Sequence, residues 1–69
     1  MPHDDLVRMV NQIAAFFEAY PPDEARDGVR QHLKRFWDPS MRAELIAARA
    51  QLEDALHPIA RSALDGMSQ

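Results

Sequence analysis

The chain has 69 residues, no cysteine and a formal net charge of −3. A single domain of that length buries only about 60% of the surface its unfolded chain exposes; disulfides, a metal or a partner are the usual supplements, and composition excludes the first. The acidic balance works against nucleic-acid phosphate on average, and the longest wholly apolar run, Ile13 to Phe17, is far short of the roughly 20 residues a membrane span requires.

The first residues, Met1-Pro2-His3-Asp4-Asp5, are acidic where a secretory signal is basic, and no apolar segment of the signal type follows. The expectation is a soluble cytoplasmic protein. Charge is unevenly distributed: residues 1–25 carry one basic and five acidic groups, residues 26–42 five and two, and residues 43–69 two and four. The middle segment is the candidate for contact with anions.

The periodicity predicts an all-α fold in one domain over residues 1–69, a small bundle of three main helices (about 4–20, 22–37 and 39–56) and a short C-terminal helix (58–65). In the first helix Asp4 or Asp5 stands as N-cap, and Leu6, Val10, Ile13, Phe17 and Tyr20 recur at helical spacing. Met9 and Phe16 widen this stripe on one side, Val7 and Ala14 on the other. The resulting arc is roughly 180°, against about 100° for a helix lying on one core, so it calls for two neighbours. Either both are helices of this chain, or one edge meets another protein.

Pro21-Pro22 ends that helix and starts the next. Asp23, Glu24 and Asp27 then sit near the positive end of the second helix, and Lys34 and Arg35 near its negative end. Its apolar face is Ala25, Val29, Leu33, Phe36 and Trp37, with His32 at the edge giving a hydrogen bond near Phe36. Gly28 falls mid-helix, at about 1 kcal/mol relative to Ala; it reads as tolerated, the alternative being a close approach by another backbone. Asp38-Pro39 repeats the start signal. The third helix carries Met41, Leu45, Ala48 and Leu52, with Ile46 projecting among Arg42, Arg49 and Glu53. His57 precedes Pro58, which opens a last helix burying Ile59, Ala63 and Leu64 and stopping at Gly66.

Little in the chain suggests chemistry. His3, His32 and His57 fall on three different elements without the clustered spacing of a zinc site. The serines lack a nucleophile context, and two glycines cannot form a phosphate-binding loop. No cofactor site is expected in this chain. Arg26, Arg30 and Lys34 recur every four residues, with Arg35 and Arg42 nearby. They read as a solvated face, as a surface for an acidic protein, or as part of a helix-turn-helix-like nucleic-acid-binding regulator. The last is disfavoured by the mixed charges after the turn, Arg42, Glu44, Arg49 and Glu53.

Two stretches are more distinctive than periodicity requires, Leu6-Val7-Arg8-Met9-Val10-Asn11-Gln12-Ile13-Ala14-Ala15-Phe16-Phe17 and His32-Leu33-Lys34-Arg35-Phe36-Trp37-Asp38-Pro39-Ser40-Met41-Arg42. In this order, with a Tyr-Pro break between them, they resemble the delta subunit of cytoplasmic NAD-dependent formate dehydrogenases. The resemblance covers residues 6–46, and the Pro-started last helix agrees with it. It implies a non-catalytic accessory subunit that assists assembly, cofactor loading or stability of the catalytic (alpha) subunit. In such complexes the other subunits hold molybdenum or tungsten on a bis-pterin guanine dinucleotide, iron-sulfur clusters and flavin, and electrons pass to NAD.

The expected partner-binding residues are Asn11, Arg35, Trp37, Arg42 and Ile46. Trp37 and Arg42 belong to the more specific family string, Ile46 and Arg35 follow from helix geometry, and Asn11 is a polar position that packing leaves unexplained. Trp37 also reads as a core residue. The apolar arc of the first helix further allows self-association at high concentration.

Overall fold

The structure, a computed structural model, describes residues 3–67. They form four α-helices, α1 His3–Phe16, α2 Pro22–Phe36, α3 Pro39–Ala48 and α4 Pro58–Asp65, with short 3-10 turns at Phe17–Ala19 and Glu53–Ala55. No strand occurs among the described residues, and no helix there is long and apolar enough to cross a membrane.

Two stripes of four-residue spacing meet at the centre. Leu6, Val10 and Ala14 of α1 and Ala25, Val29 and Leu33 of α2 are all fully buried, as expected where i and i+4 side chains share a helix face. Leu45 and Ile46 of α3, Leu56, and Ala60, Ala63 and Leu64 of α4 close the core. α4 lies chiefly against α2, and α1 touches the other three helices.

The proline signals place the helix starts. Pro22, Pro39 and Pro58 each occupy the first turn of a helix, where a missing N–H removes no intrahelical bond. Tyr20 is extended at φ −93°, ψ 156°, the region that a following proline favours. The α-geometry of the first helix therefore stops at Phe16 and tightens into the Phe17–Ala19 turn. Asp4 and Asp5 lie within the first turn rather than at its cap, and Asp5 pairs with Arg8 at 3.1 Å. Asp38 takes the N-cap position of α3 without a side-chain capping bond; its carbonyl accepts from the N–H groups of Met41 and Arg42.

The third helix departs most from expectation. It ends at Ala48 rather than near Leu56, through turns in which Gln51 and Leu52 donate to the Ala48 carbonyl at 3.0 and 3.1 Å. A straight helix over 39–56 would be about 27 Å long, close to the 29 Å longest dimension of the molecule, and would carry its end past the core. The turn brings Leu56 back to 3% exposure. Ile46 is likewise not projecting among charges but buried at 5%.

Side chains from distant elements satisfy the helix ends. Arg42 donates through one guanidinium nitrogen to the carbonyls of Leu33, Lys34 and Trp37 at 3.2, 3.3 and 3.0 Å, which closes the C-terminus of α2. Arg30 donates to Ala63 and Ser62 carbonyls at 2.8 and 3.3 Å, near the C-terminus of α4. These carbonyls lie in or just past the last turn of each helix, where intrahelical donors run out and the macrodipole favours cations; that of Leu33 also accepts the Trp37 N–H. At the start of α4, the Ile59 N–H donates to His57 Nδ1 at 3.1 Å. His57 thus serves as the N-cap, and its Nε2 lies 2.8 Å from Glu18 Oε2. A backbone N–H can only donate, so the network assigns the ring proton to Nε2.

Candidate functional site

α1 and α2 leave a groove along one face, mixed polar and apolar near Trp37 and apolar near Phe16 and Phe17. One part, about 300 Å³, is lined by Met9, Gln12, Ile13, His32 and Trp37. A second part of about 300 Å³ is lined by Ile13, Phe16, Phe17 and His32. Ile13 and His32 are common to both, so the two parts adjoin there, with Trp37 beside one and the Phe16–Phe17 pair beside the other.

Aromatic rings line it and stand beside it. Phe16 meets Phe17 edge-on with centroids 5.1 Å apart, Phe17 meets Tyr20 at 5.3 Å, and Phe36 lies tilted against His32 at 4.9 Å. Such rings usually sit inside, yet Phe16 and Phe36 are 70% and 71% exposed and Tyr20 47%. For Phe16 the cause is angular: the buried stripe centres on Val10, and at 100° per residue Phe16 points about 120° away from it. For Phe36 it is the end of the helix. Trp37 leaves α2 in an extended conformation and joins the core at 6% exposure, filling this end of the molecule, while Phe36 rests on His32.

Gly28 belongs to the same construction. A Cβ there would stand 2.6 Å from Cζ of Phe17 and 2.7 Å from its Cδ1, closer than carbon atoms pack. The glycine is where a ring approaches the helix, neither tolerated noise nor the approach of another backbone.

The residues singled out from sequence fall in different places. Asn11 bridges two segments: its amide nitrogen donates to the Ala55 carbonyl at 2.9 Å, and its oxygen accepts the His57 N–H at 2.8 Å. Packing thus explains it. Arg42 is bonded to the α2 carbonyls, Ile46 is in the core, and Trp37 is in the core with one side on the groove. Arg35 is exposed. In the basic stripe, Arg26 lies 3.6 Å from both Asp23 and Asp27 and Arg30 is bonded to α4. Among the described residues, Lys34 and Arg35 make no ion pair. Sequence reasoning missed Phe16 and Phe36 as surface groups; the breadth of the α1 apolar arc, with Phe16 at its edge, was the available signal.

The three histidines go to separate neighbours, His3 to Glu44 at 3.9 Å, His32 to Phe36 and His57 to Glu18. Among the described residues no group of three or more His, Asp or Glu side chains is gathered as a metal site would need.

Fold and surface together define, over the described residues, a small all-helical protein in which Arg30, Arg42 and His57 close helix ends and whose distinctive surface is a groove lined by aromatic rings. The chain belongs to the family of the NADH-dependant formate dehydrogenase delta subunit FdsD, which matches residues 5–64. The match extends beyond the two stretches that carried the resemblance and includes α4 to Leu64. No curated protein and no solved structure matches the chain.

Proposed function

We propose that this chain is a non-catalytic small subunit of a cytoplasmic NADH-dependent formate dehydrogenase. It docks on the catalytic subunit and helps that subunit reach or keep its cofactor-loaded form. The observation that carries this reading is the family match over residues 5–64. The exposed rings of Phe16, Tyr20 and Phe36 support it, because a small marginal core with clustered surface aromatics gains by covering them with a partner.

On this reading the molybdenum or tungsten pterin, the iron-sulfur clusters, the flavin and the NAD site belong to the other subunits. This chain's share is surface and rigidity: the Arg42, Arg30 and Asn11 bonds hold four short helices in one arrangement and so present the groove preformed.

Deletion of the chain tests the role. Formate-dependent NAD reduction, metal content of the catalytic subunit and integrity of the complex are measured with and without it. Loss of one or more, restored by supplying the chain in trans, is the expected result. Normal activity, metal content and complex stability in its absence would refute the role.

A further inference from the structure

We infer that the groove between α1 and α2 is the docking surface, and that it takes a segment of the catalytic subunit of formate dehydrogenase presenting apolar side chains beside a carboxylate. This rests on the subunit reading above and adds to it the place and the chemistry of contact.

The apolar half of the argument is the arrangement of rings. Phe16 lines the groove together with Ile13, Phe17 and His32, and Phe36 lies against His32 beside that lining; each of the two phenylalanines is about 70% exposed. The rings already rest on neighbours, Phe16 on Phe17 and Phe36 on His32, so little side-chain freedom is lost when they are covered. Clustered, desolvatable aromatics of this kind dominate interface energetics.

The polar half is charge. Residues 28, 32, 35 and 36 share one face of α2 at helical spacing, which puts Arg35 on the rim beside His32 and Phe36. Arg35 is exposed and makes no ion pair among the described residues; Lys34, though exposed, points about 160° from His32 on the helix and away from the groove. The acidic side chain nearest the Phe17 end, Glu18, is engaged by His57 at 2.8 Å. The rim therefore lacks its counter-charge, and the partner supplies it. A second copy of this chain fits less well, because a two-fold contact would set the Arg35 end of one groove against the Phe17 end of the other, where the Glu18 carboxylate is already held by His57.

The test uses the whole complex, isolated through an affinity tag on this chain. Wild-type chain retains the other subunits. Phe16→Ala combined with Phe36→Ala lowers affinity on the order of thirtyfold, as for paired hot-spot aromatics. Arg35→Glu lowers it about tenfold at low salt and less at high salt, as a screened ion pair requires. Gln51→Lys, a charge change outside the groove, leaves retention unchanged. Far-UV circular dichroism verifies that each variant is helical, as expected for side chains already exposed to water.

Folded groove variants that retain the complex like wild type would overturn the inference and leave the subunit reading standing. Failure of the wild-type chain to retain any formate dehydrogenase subunit would remove both. Loss on the double Phe substitution with none on Arg35→Glu would overturn the carboxylate. A dimer of the isolated chain that Phe16→Ala and Phe36→Ala dissociate, with complex retention unaffected, would assign the groove to a second copy.

Discussion

Replacing Gly28 by alanine is expected to destabilise this protein, although the same change in most helix interiors stabilises by about 0.8–1.0 kcal/mol. The reason is the Phe17 ring. A new Cβ would stand 2.6 Å from Cζ and 2.7 Å from Cδ1, where carbons in contact keep about 3.5–4.0 Å, so the ring must retreat by roughly 1 Å. Phe16 edge-on at 5.1 Å and Tyr20 at 5.3 Å resist that movement, and overpacking of this kind costs about 1–3 kcal/mol. The balance is a loss of about 1 kcal/mol, seen as a fall in melting temperature of about 4–8 °C for a domain of this size. In a Phe17→Ala background the ring is gone and Gly28→Ala raises stability by about 1 kcal/mol, a coupling of about 2 kcal/mol between the sites. Urea unfolding followed by far-UV circular dichroism measures all four proteins of the cycle. Stabilisation by Gly28→Ala in both backgrounds would show that Phe17 does not rest on the glycine.

Three further substitutions separate structural from surface roles in the same unfolding assay. Arg42→Met removes the donor to three carbonyls at the end of α2 and lowers stability by about 1.5–3 kcal/mol, the range for hydrogen bonds to a charged group; an unchanged urea midpoint would refute the capping role. Asn11→Ala frees the Ala55 carbonyl and the His57 N–H and lowers stability by about 1–3 kcal/mol, with faster amide exchange at His57 as a site-specific readout. Ile46→Ala, at a position 5% exposed, lowers stability by about 2–4 kcal/mol, whereas a surface isoleucine would show almost no change.

The helix starts were legible because each depends on residues next to one another. Pro22, Pro39 and Pro58 act through their own φ and missing N–H, and the stripes Leu6-Val10-Ala14 and Ala25-Val29-Leu33 through the helical repeat. The end of α3 was not legible. No proline or glycine lies between Ser40 and His57, and helix formers run through the break, so its cause is tertiary: Leu56 returns to the core and Asn11 anchors residues 55 and 57. Ile46 followed the same error, since its surroundings depend on where α3 stops. Asn11, Arg30 and Arg42 could not be assigned from spacing either. Their acceptors are main-chain carbonyls, which every residue carries and no sequence pattern marks.

Those bonds change how a docking variant has to be chosen. A chain of 69 residues has a total stability of about 3.5–10 kcal/mol at the usual 0.05–0.15 kcal/mol per residue. Trp37→Ala together with Arg42→Glu would remove a core indole and the α2 cap and consume much of it, so lost binding would report unfolding. Within the string His32-Leu33-Lys34-Arg35-Phe36-Trp37-Asp38-Pro39-Ser40-Met41-Arg42, the structure separates two sets of side chains. Leu33, Trp37 and Arg42 face inward or onto carbonyls and fix the α2–α3 corner. His32 lines the groove, Phe36 rests on it, and Arg35 stays in solvent on the same face. The inward set determines where the outward set stands. Arg42 therefore bears on docking only through the stability of the fold that carries Phe36, and Arg42→Lys, which keeps the charge but loses the planar fork, is expected to lower stability and leave the affinity of the folded fraction near wild type.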